Sequence, residues 1–364
     1  MSSNSTGRKI RDDAYPLPVA VGKRRMVILA DGCFSPLGAK TAVCLVRYVP
    51  EEVVAVIDSS KAPATVGGVL GWGGTIPVVA NLDEALTANP DCLVLGTAPR
   101  GGMLPPNARR TIVAAIRSGL HIISGMHQFL GDDGELAALV REHGVTLWDV
   151  RKPPDDLGVS SGNECPFCPV ILTVGSDCNT GKMTASMEIT HALRAAGLKV
   201  GFAASGQTGI MITGRGIPID RVVADFIGGA TERLVCEAAP GMDVVILEGQ
   251  GSLIHPGYAG VTVGMISGAL PKGAILCHQP TRTMVREYQI PIPPLSRLVS
   301  IYECAIEGIK RVPVLGIALN TFDLDDRDAQ AAIESAARET GLPAADPVRF
   351  TAGPLVTAIR RSLR

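Results

Sequence analysis

The stretch Ile171-Leu-Thr-Val-Gly175-Ser-Asp-Cys-Asn-Thr-Gly181-Lys182-Met183-Thr184 decides the fold of the second half of this chain. An apolar run enters a loop bounded by glycines, and beyond Lys182 the pattern becomes helical. Strand, loop and helix in that order give the glycines a purpose. Gly175 and Gly181 let the backbone curl until successive N–H groups point inward. The helix start adds partial positive charge and Lys182 adds a full one. Ser176, Asp177, Asn179, Thr180, Met183 and Thr184 complete a cradle suited to a pyrophosphate. The competing reading is an ordinary junction with a surface lysine; the flanking elements favour the phosphate. The loop has one residue more than the usual GxxxxGK[ST] spacing. Met183 stands where Ser or Thr normally holds magnesium, which leaves that duty to Thr184 or Ser186.

Outward from this motif, short apolar runs alternate with longer amphipathic ones, the rhythm of βαβ units and parallel sheets. Strands are expected at 26–30, 53–57, 76–79, 93–96, 121–124 and 146–150, then at 170–174, 199–203, 244–248, 274–277 and 314–319. Helices are expected at 38–48, 82–88, 106–118 and 133–143, then at 182–196, 220–238, 296–309 and 326–340. Pro153 and Pro154, followed by a Gly/Ser stretch to Gly162, mark a linker. The expected fold is α/β throughout. A flexible lead covers 1–25, a parallel-sheet domain 26–155, and a P-loop NTPase-like domain 156–364.

Composition agrees. The 364 residues are 46% hydrophobic and 19% charged, enough for two globular cores. Aromatics are only 4% and glycines number 41, which suits tightly layered α/β packing. A net charge of −1 offers no basic excess for nucleic acid, so the expected ligand is a small molecule held locally. No apolar run is long enough to span a membrane, and no secretory signal is legible. Nine cysteines in mostly apolar surroundings read as free thiols in a reducing, cytoplasmic setting. Cys165-Pro-Phe-Cys168 lacks a second ligand pair, so two thiols at the mouth of a strand are preferred to zinc. The apolar loop Pro291-Ile-Pro-Pro294 suits either a homo-oligomer contact or internal packing.

Other residues at strand ends carry candidate chemistry. Glu248, in Glu248-Gly-Gln-Gly251, ends an apolar strand where a carboxylate faces phosphates and holds hydrated metal. His255 follows in the same Gly/Pro loop and has the ordinary titration range of a base. Asn320 ends a late strand, placed to read a nucleobase edge or to cap the next helix. Gln207 and Thr208, flanked by glycines, offer polar contacts to a substrate or simply a tight turn. Arg282 suits a substrate carboxylate, as does Arg215 in its Gly-rich loop. His127 follows a strand in the first half and is expected either toward a cleft or as a structural histidine. Asp58 ends the second strand, where a Rossmann fold places a ribose-binding carboxylate, yet the preceding Asp31–Gly38 turn lacks GxGxxG. Cys178 lies among the loop's positive charges, where a thiolate is favoured; it is read as a small filler in preference to a redox group.

Over residues 170–325 the phosphate loop, the Glu248-Gly-x-Gly251 strand end and Asn320 resemble dethiobiotin synthetase. That resemblance implies ATP on Gly175–Lys182, Mg2+ near Glu248, adenine near Asn320, and an ATP-dependent ligase or kinase acting on a small carboxylate. Met183 departs from its pattern. A longer resemblance, over nearly all of residues 26–360, is to the DgcN-type D-glutamate N-acetyltransferase family. It is carried by Ser124-Gly-Met-His127-Gln-Phe-Leu, Thr173-Val-Gly-Ser-Asp-Cys178-Asn-Thr-Gly-Lys-Met183-Thr, Gly206-Gln-Thr-Gly209 and Glu248-Gly-Gln-Gly-Ser-Leu-Ile-His255-Pro-Gly-Tyr258. This resemblance, which Cys178 and Met183 fit, implies a Rossmann-like domain before the P-loop domain. It also implies acetyl transfer from acetyl-CoA to the amine of a D-amino acid such as D-glutamate. A non-catalytic nucleotide-binding regulator is the third reading, disfavoured by the polar residues gathered at strand ends.

Overall fold

The computed structural model describes residues 20–36, 38–97 and 104–364; the part of the expected flexible lead before residue 20 lies outside the described residues. The chain divides into two compact units. One comprises the residues up to Pro154 together with Met211–Arg215, and the other comprises Asp155–Ile210 and Gly216–Arg364.

In the first unit the order is β1 (Met26–Leu29), α1 (Lys40–Tyr48), β2 (Val53–Ile57), β3 (Ala64–Thr65), α2 (Val66–Leu70), β4 (Pro77–Val79), α3 (Leu82–Leu86), β5 (Cys92–Leu95), α4 (Pro106–Arg117), β6 (His121–Ser124), α5 (Gly134–Glu142) and β7 (Leu147–Asp149). The sheet runs β3-β4-β2-β1-β5-β6-β7, and only the short β3 pairs antiparallel. Without β3 this is the 3-2-1-4-5-6 order of a Rossmann sheet. Strands such as Cys92–Leu95 are buried at every position, as strands covered by helices on both faces must be.

The second unit continues with β8 (Val170–Gly175), α6 (Lys182–Ala195), β9 (Val200–Ala203), α7 (Gln207–Thr213), α8 (Ile227–Ala238), β10 (Val244–Leu247), α9 (Ala259–Ala269), β11 (Gly273–His278), α10 (Leu295–Glu303), β12 (Val314–Leu319), α11 (Asp326–Thr340), β13 (Ala344–Ala345) and α12 (Gly353–Ser362). Its sheet is wholly parallel in the order β13-β12-β11-β8-β10-β9, which puts β8 between β10 and β11. Alternation along the strands feeds two cores. Ile171, Ile246 and Ile275 pack with Ile189 of α6 and Leu355 of α12, while Leu172, Leu247 and Leu276 pack with Leu234 of α8 and Ile266 of α9. The loop after β8 therefore emerges at the centre of the sheet's carboxyl edge, where open α/β sheets bind ligands.

Differences from the expected elements have local causes. The helix expected over 220–238 starts only at Ile227, because Val222 is extended and Val223, at φ −58° and ψ 139°, is not helical. The helix expected over 296–309 ends at Glu303, whose carboxylate turns back to accept from Val314 N at 3.1 Å. Helices α2, α7, α9 and α12 and the two-residue strands β3 and β13 have no counterpart among the expected elements. In α9 the sequence AGVTVGMISGA carries no charge and so no amphipathic signal. Its glycines instead permit backbone contact: a Cβ on Gly268 would lie 2.1 Å from the Gly228 carbonyl oxygen of α8. Among the described residues no helix is long and apolar enough to cross a membrane, and all nine cysteines are free thiols.

Candidate active site

At the end of β8 the backbone closes into a tight ring. A Cβ on Gly175 would lie 2.8 Å from both Asp177 O and Thr180 Oγ1 and 2.9 Å from Lys182 Nζ, so only glycine fits. The curl is completed by left-handed residues, Asn179 at φ 55° and Gly181 at φ 100°. Lys182 opens α6 and is buried; its ammonium folds back over the loop and donates to Asp177 O at 2.8 Å. Thr180 is buried and its hydroxyl donates to the same carbonyl at 3.3 Å. Met183 is buried in the first turn of α6, while Thr184 beside it is half-buried. Ser176 donates its amide to Cys277 O at 2.9 Å, and its hydroxyl meets His278 Nδ1 at 2.8 Å. Burial lowers His278 to about 4, Glu339 opposing and Arg282 assisting, so its ring is neutral near pH 7. From below, the Tyr302 hydroxyl donates to Gly175 O at 2.6 Å, and burial pushes it up to about 12, which keeps it a neutral donor.

Asp177 is the internal brace of the ring. Its fully buried carboxylate accepts from Cys178 N at 2.7 Å, Arg286 N at 2.8 Å and Arg282 Nη1 at 2.9 Å. Arg282 also donates to Cys178 O at 2.5 Å and Gln279 Oε1 at 2.7 Å. The expectation that Arg282 presents an open fork to a substrate carboxylate therefore needs correcting: its donors are committed to the loop. Asn320 N donates to His278 O at 2.8 Å, and its side chain faces Gly181, 3.6 Å from where a Cβ would stand. Asn320 does not cap the following helix; Asp325 does, accepting from Asp328 N.

Glu248 follows β10 and is buried, and its Oε2 accepts from Ser205 N and Gly206 N, each at 3.2 Å, while Oε1 accepts from Gln250 Nε2 at 3.3 Å. A Cβ on Gly209 would lie 2.4 Å from Oε2, so the turn into α7 closes tightly over this carboxylate. Gln207 and the buried Thr208, expected on a turn, form the first residues of α7 beside it. With N–H donors on both oxygens, Glu248 shapes the 205–209 segment, a poor fit to the metal-holding and catalytic roles expected of it. Gly249 brings the strand end against β8: its N–H donates to Thr173 Oγ1 at 3.0 Å, and a Cβ there would lie 1.7 Å from Thr173 O.

His255 returns to the loop from this same side. It is buried, its ring lies 4.7 Å from Tyr258 and 5.1 Å edge-on from Tyr288, and its Nδ1 accepts from Gly257 N at 3.2 Å. A ring nitrogen of His255, Cys178 Sγ and an Asp177 carboxylate oxygen all lie within 4.8 Å of one another. Among the described residues this is the one such cluster of three or more potential metal-binding groups. Because Asp177 is already paired with a guanidinium, the cluster suits proton transfer better than a cation. Sequence reading missed the juxtaposition of Cys178 with His255, since only the fold brings the β8 and β10 loops together.

A cavity of about 470 Å³ adjoins the loop's other side, lined by His278, Arg282, Ile292, Leu319, Ala332 and Glu339 among others. Its size is that of a small-molecule site. Burial first, with Cys165 adding, pushes Cys168 of the CxxC up to about 11 and the neighbouring Cys236 up to about 12. In the first unit, His127 is exposed in the segment after β6. The Asp58 carboxylate there accepts from Gly32 N, Phe34 N, Ser60 N and Ser60 Oγ. Those bonds outweigh burial and lower its pKa. It thus fills the turn where a ribose or phosphate would sit in a Rossmann site.

Comparison with known proteins gives a consistent picture. Residues 160–356 match the family profile described as the DUF1611 C-terminal P-loop domain, and residues 59–153 match its N-terminal Rossmann-like domain. A protein named D-glutamate N-acetyltransferase from Tritonibacter scottomollicae is 36% identical over 331 residues, covering 89% of this chain and 94% of its own length. Another of that name from a Pseudoalteromonas species is 35% identical, covering 79% of this chain and 88% of itself. The crystal structure of a DUF1611 family protein from Anabaena variabilis superposes with a TM-score of 0.89 at 37% identity, covering 93% of this chain and 99% of that one.

Proposed function

The chain belongs to the DUF1611 family, a Rossmann-like domain joined to a P-loop domain, and on that premise we propose that it is an N-acetyltransferase moving acetyl from acetyl-CoA to the amine of a D-amino acid, D-glutamate foremost. The observation that carries this reading is one of adjacency. A phosphate cradle with a buried lysine stands beside the buried His255 of the segment after β10, whose ring nitrogen lies within 4.8 Å of Cys178 Sγ on that loop. Coenzyme A brings a pyrophosphate to such a cradle, and inward N–H groups with an ammonium suit it as well as they suit ATP. Its adenine has a polar partner in Asn320 beside Gly181. The acceptor arrives as an ammonium and must lose protons to become a nucleophile and then an amide; His255 is the buried base within reach. Gln207 and Thr208 are assigned polar contacts to the acceptor. Free thiols throughout fit a reducing cytoplasm.

The ATP-dependent ligase reading needs a carboxylate free to hold magnesium, and the N–H donors on both oxygens of Glu248 weigh against it. The test is a parallel incubation of the purified chain with acetyl-CoA or Mg-ATP and a panel of D- and L-amino acids. Acetylated D-glutamate formed only with acetyl-CoA supports the proposal. ATP hydrolysis that depends on an acidic substrate, without acetylation, refutes it.

A further inference from the structure

Resting on the reading that coenzyme A occupies the phosphate loop, we propose that the turns after β12 and β13 form a slot for its adenine, in which Phe322, Val348 and Phe350 cover the base and Asn320 pairs with its edge. These three large apolar side chains are 49%, 42% and 44% exposed. They stand on two short turns at the carboxyl edge of the parallel sheet, the edge from which the phosphate loop also emerges. Single exposed apolar residues are ordinary on a protein surface. Three on two linked turns beside a ligand loop are apolar surface that a ligand can cover.

The two turns are tied to each other before any ligand arrives. The buried Asp346 carboxylate accepts from Thr321 N at 3.0 Å and Thr321 Oγ1 at 2.6 Å on one turn. On the other it accepts from Val348 N and Arg349 N, each at 2.9 Å. Arg349 repeats the tie: its Nη1 donates to Thr321 O at 2.8 Å and Leu324 O at 2.6 Å, and its Nε donates to Asp326 Oδ1 at 2.9 Å. The guanidinium so held stands over one face of the Phe350 ring, 5.8 Å from its centre, so a base stacks on the other face. Side chains on turns fixed in this way lose little freedom when a ligand covers them, and release of water from the rings favours binding.

Asn320 joins the slot to the phosphates. It directly precedes Thr321, and its side-chain nitrogen lies 3.6 Å from where a Cβ on Gly181 would stand, at the end of the phosphate loop. A base beside Asn320 is therefore about one ribose away from a pyrophosphate on that loop. A carboxamide offers a donor and an acceptor together, which matches the N7 acceptor and the N6 amino group of adenine. Guanine presents two acceptors on the same edge and leaves the carboxamide oxygen without a donor. The slot takes the adenosine end of the coenzyme, and the pantetheine arm leaves the pyrophosphate from its other end.

The test is calorimetric titration of the full chain with coenzyme A and, separately, with inorganic pyrophosphate, which fills the loop and carries no base. Phe322→Ala and Phe350→Ala should each weaken coenzyme A binding by roughly 10- to 100-fold and leave pyrophosphate binding unchanged. In the wild-type chain, saturating the phenylalanine ring protons by NMR should transfer to the adenine protons of coenzyme A, and the double variant should lose that transfer. Unchanged coenzyme A affinity in both single variants overturns the slot and leaves the phosphate loop standing. An equal loss for pyrophosphate shows that the rings only support the loop, and overturns the slot as well. Wild-type chain that binds pyrophosphate but not coenzyme A overturns the coenzyme reading on which the slot rests.

Discussion

Replacing Lys182 with methionine isolates the charge at the centre of the phosphate loop. The buried stem of the side chain is largely kept. What disappears is the ammonium, which donates to Asp177 O at 2.8 Å. On binding a pyrophosphate it exchanges that bond, a net contribution of about 1 kcal/mol, for a charge-assisted one of about 1.5–3 kcal/mol. Attraction to one phosphate charge at about 4 Å adds up to about 4 kcal/mol at an effective dielectric near 20, reduced by salt and by imperfect alignment. The expected net loss is about 2–3 kcal/mol, or roughly 30- to 150-fold in Kd for coenzyme A. Calorimetric titration at two ionic strengths reads this directly, with the melting temperature confirming that the variant is folded. A change of less than about threefold in a folded variant, under 1 kcal/mol, refutes the assignment of Lys182 to the phosphates.

Asp177→Ala removes a fully buried carboxylate that holds Arg282 and two backbone amides, and should cost about 3 kcal/mol in urea unfolding; a loss below about 1 kcal/mol would show that the loop does not depend on this brace. Gly249→Ala drives a Cβ to 1.7 Å from Thr173 O, so the expected outcome is insoluble protein or a loss above about 4 kcal/mol, and normal expression with an unchanged melting temperature speaks against the described β8–β10 approach. His278 is lowered to about 4 from an ordinary 6.5 by burial, so the unfolded chain binds the extra proton first; its contribution is complete above about pH 6.5 and is lost as pH falls through about 4. His278→Gln should therefore lose about 3 kcal/mol less stability than wild type between pH 7 and pH 4, and equal pH slopes contradict that burial.

The parts of the molecule that were legible in the sequence are those governed by local pattern. Val170–Val174 and Val244–Leu247 are continuous apolar runs because helices cover both sheet faces, and both fall within the strands they were expected to form. Gly175, Gly181 and Lys182 announced the curl because glycines bounding a loop between an apolar strand and a helical pattern, with a lysine at the helix start, mark a phosphate loop even at one residue over the usual spacing. The rest depends on contacts between distant segments. Helix α9 has no polar face to advertise it, and α7 begins at Gln207 because Glu248 draws in the preceding amides. Arg282 was read as a substrate fork from its residue type, and only the position of Asp177 shows that it braces the loop. Asp58 sits where a Rossmann carboxylate belongs, yet hydrogen bonds from Gly32, Phe34 and Ser60 use it internally. The closeness of Cys178 to His255 has no trace in the sequence, because the two lie on loops that only the fold joins.

Coenzyme A bound to this chain and located by crystallography is the most direct measurement. The expected density places the pyrophosphate within about 3 Å of backbone N–H groups in the 178–184 segment, with Lys182 Nζ turned from Asp177 O onto a phosphate oxygen. Coenzyme A seated elsewhere, with the Lys182–Asp177 bond intact at saturating ligand, contradicts the account.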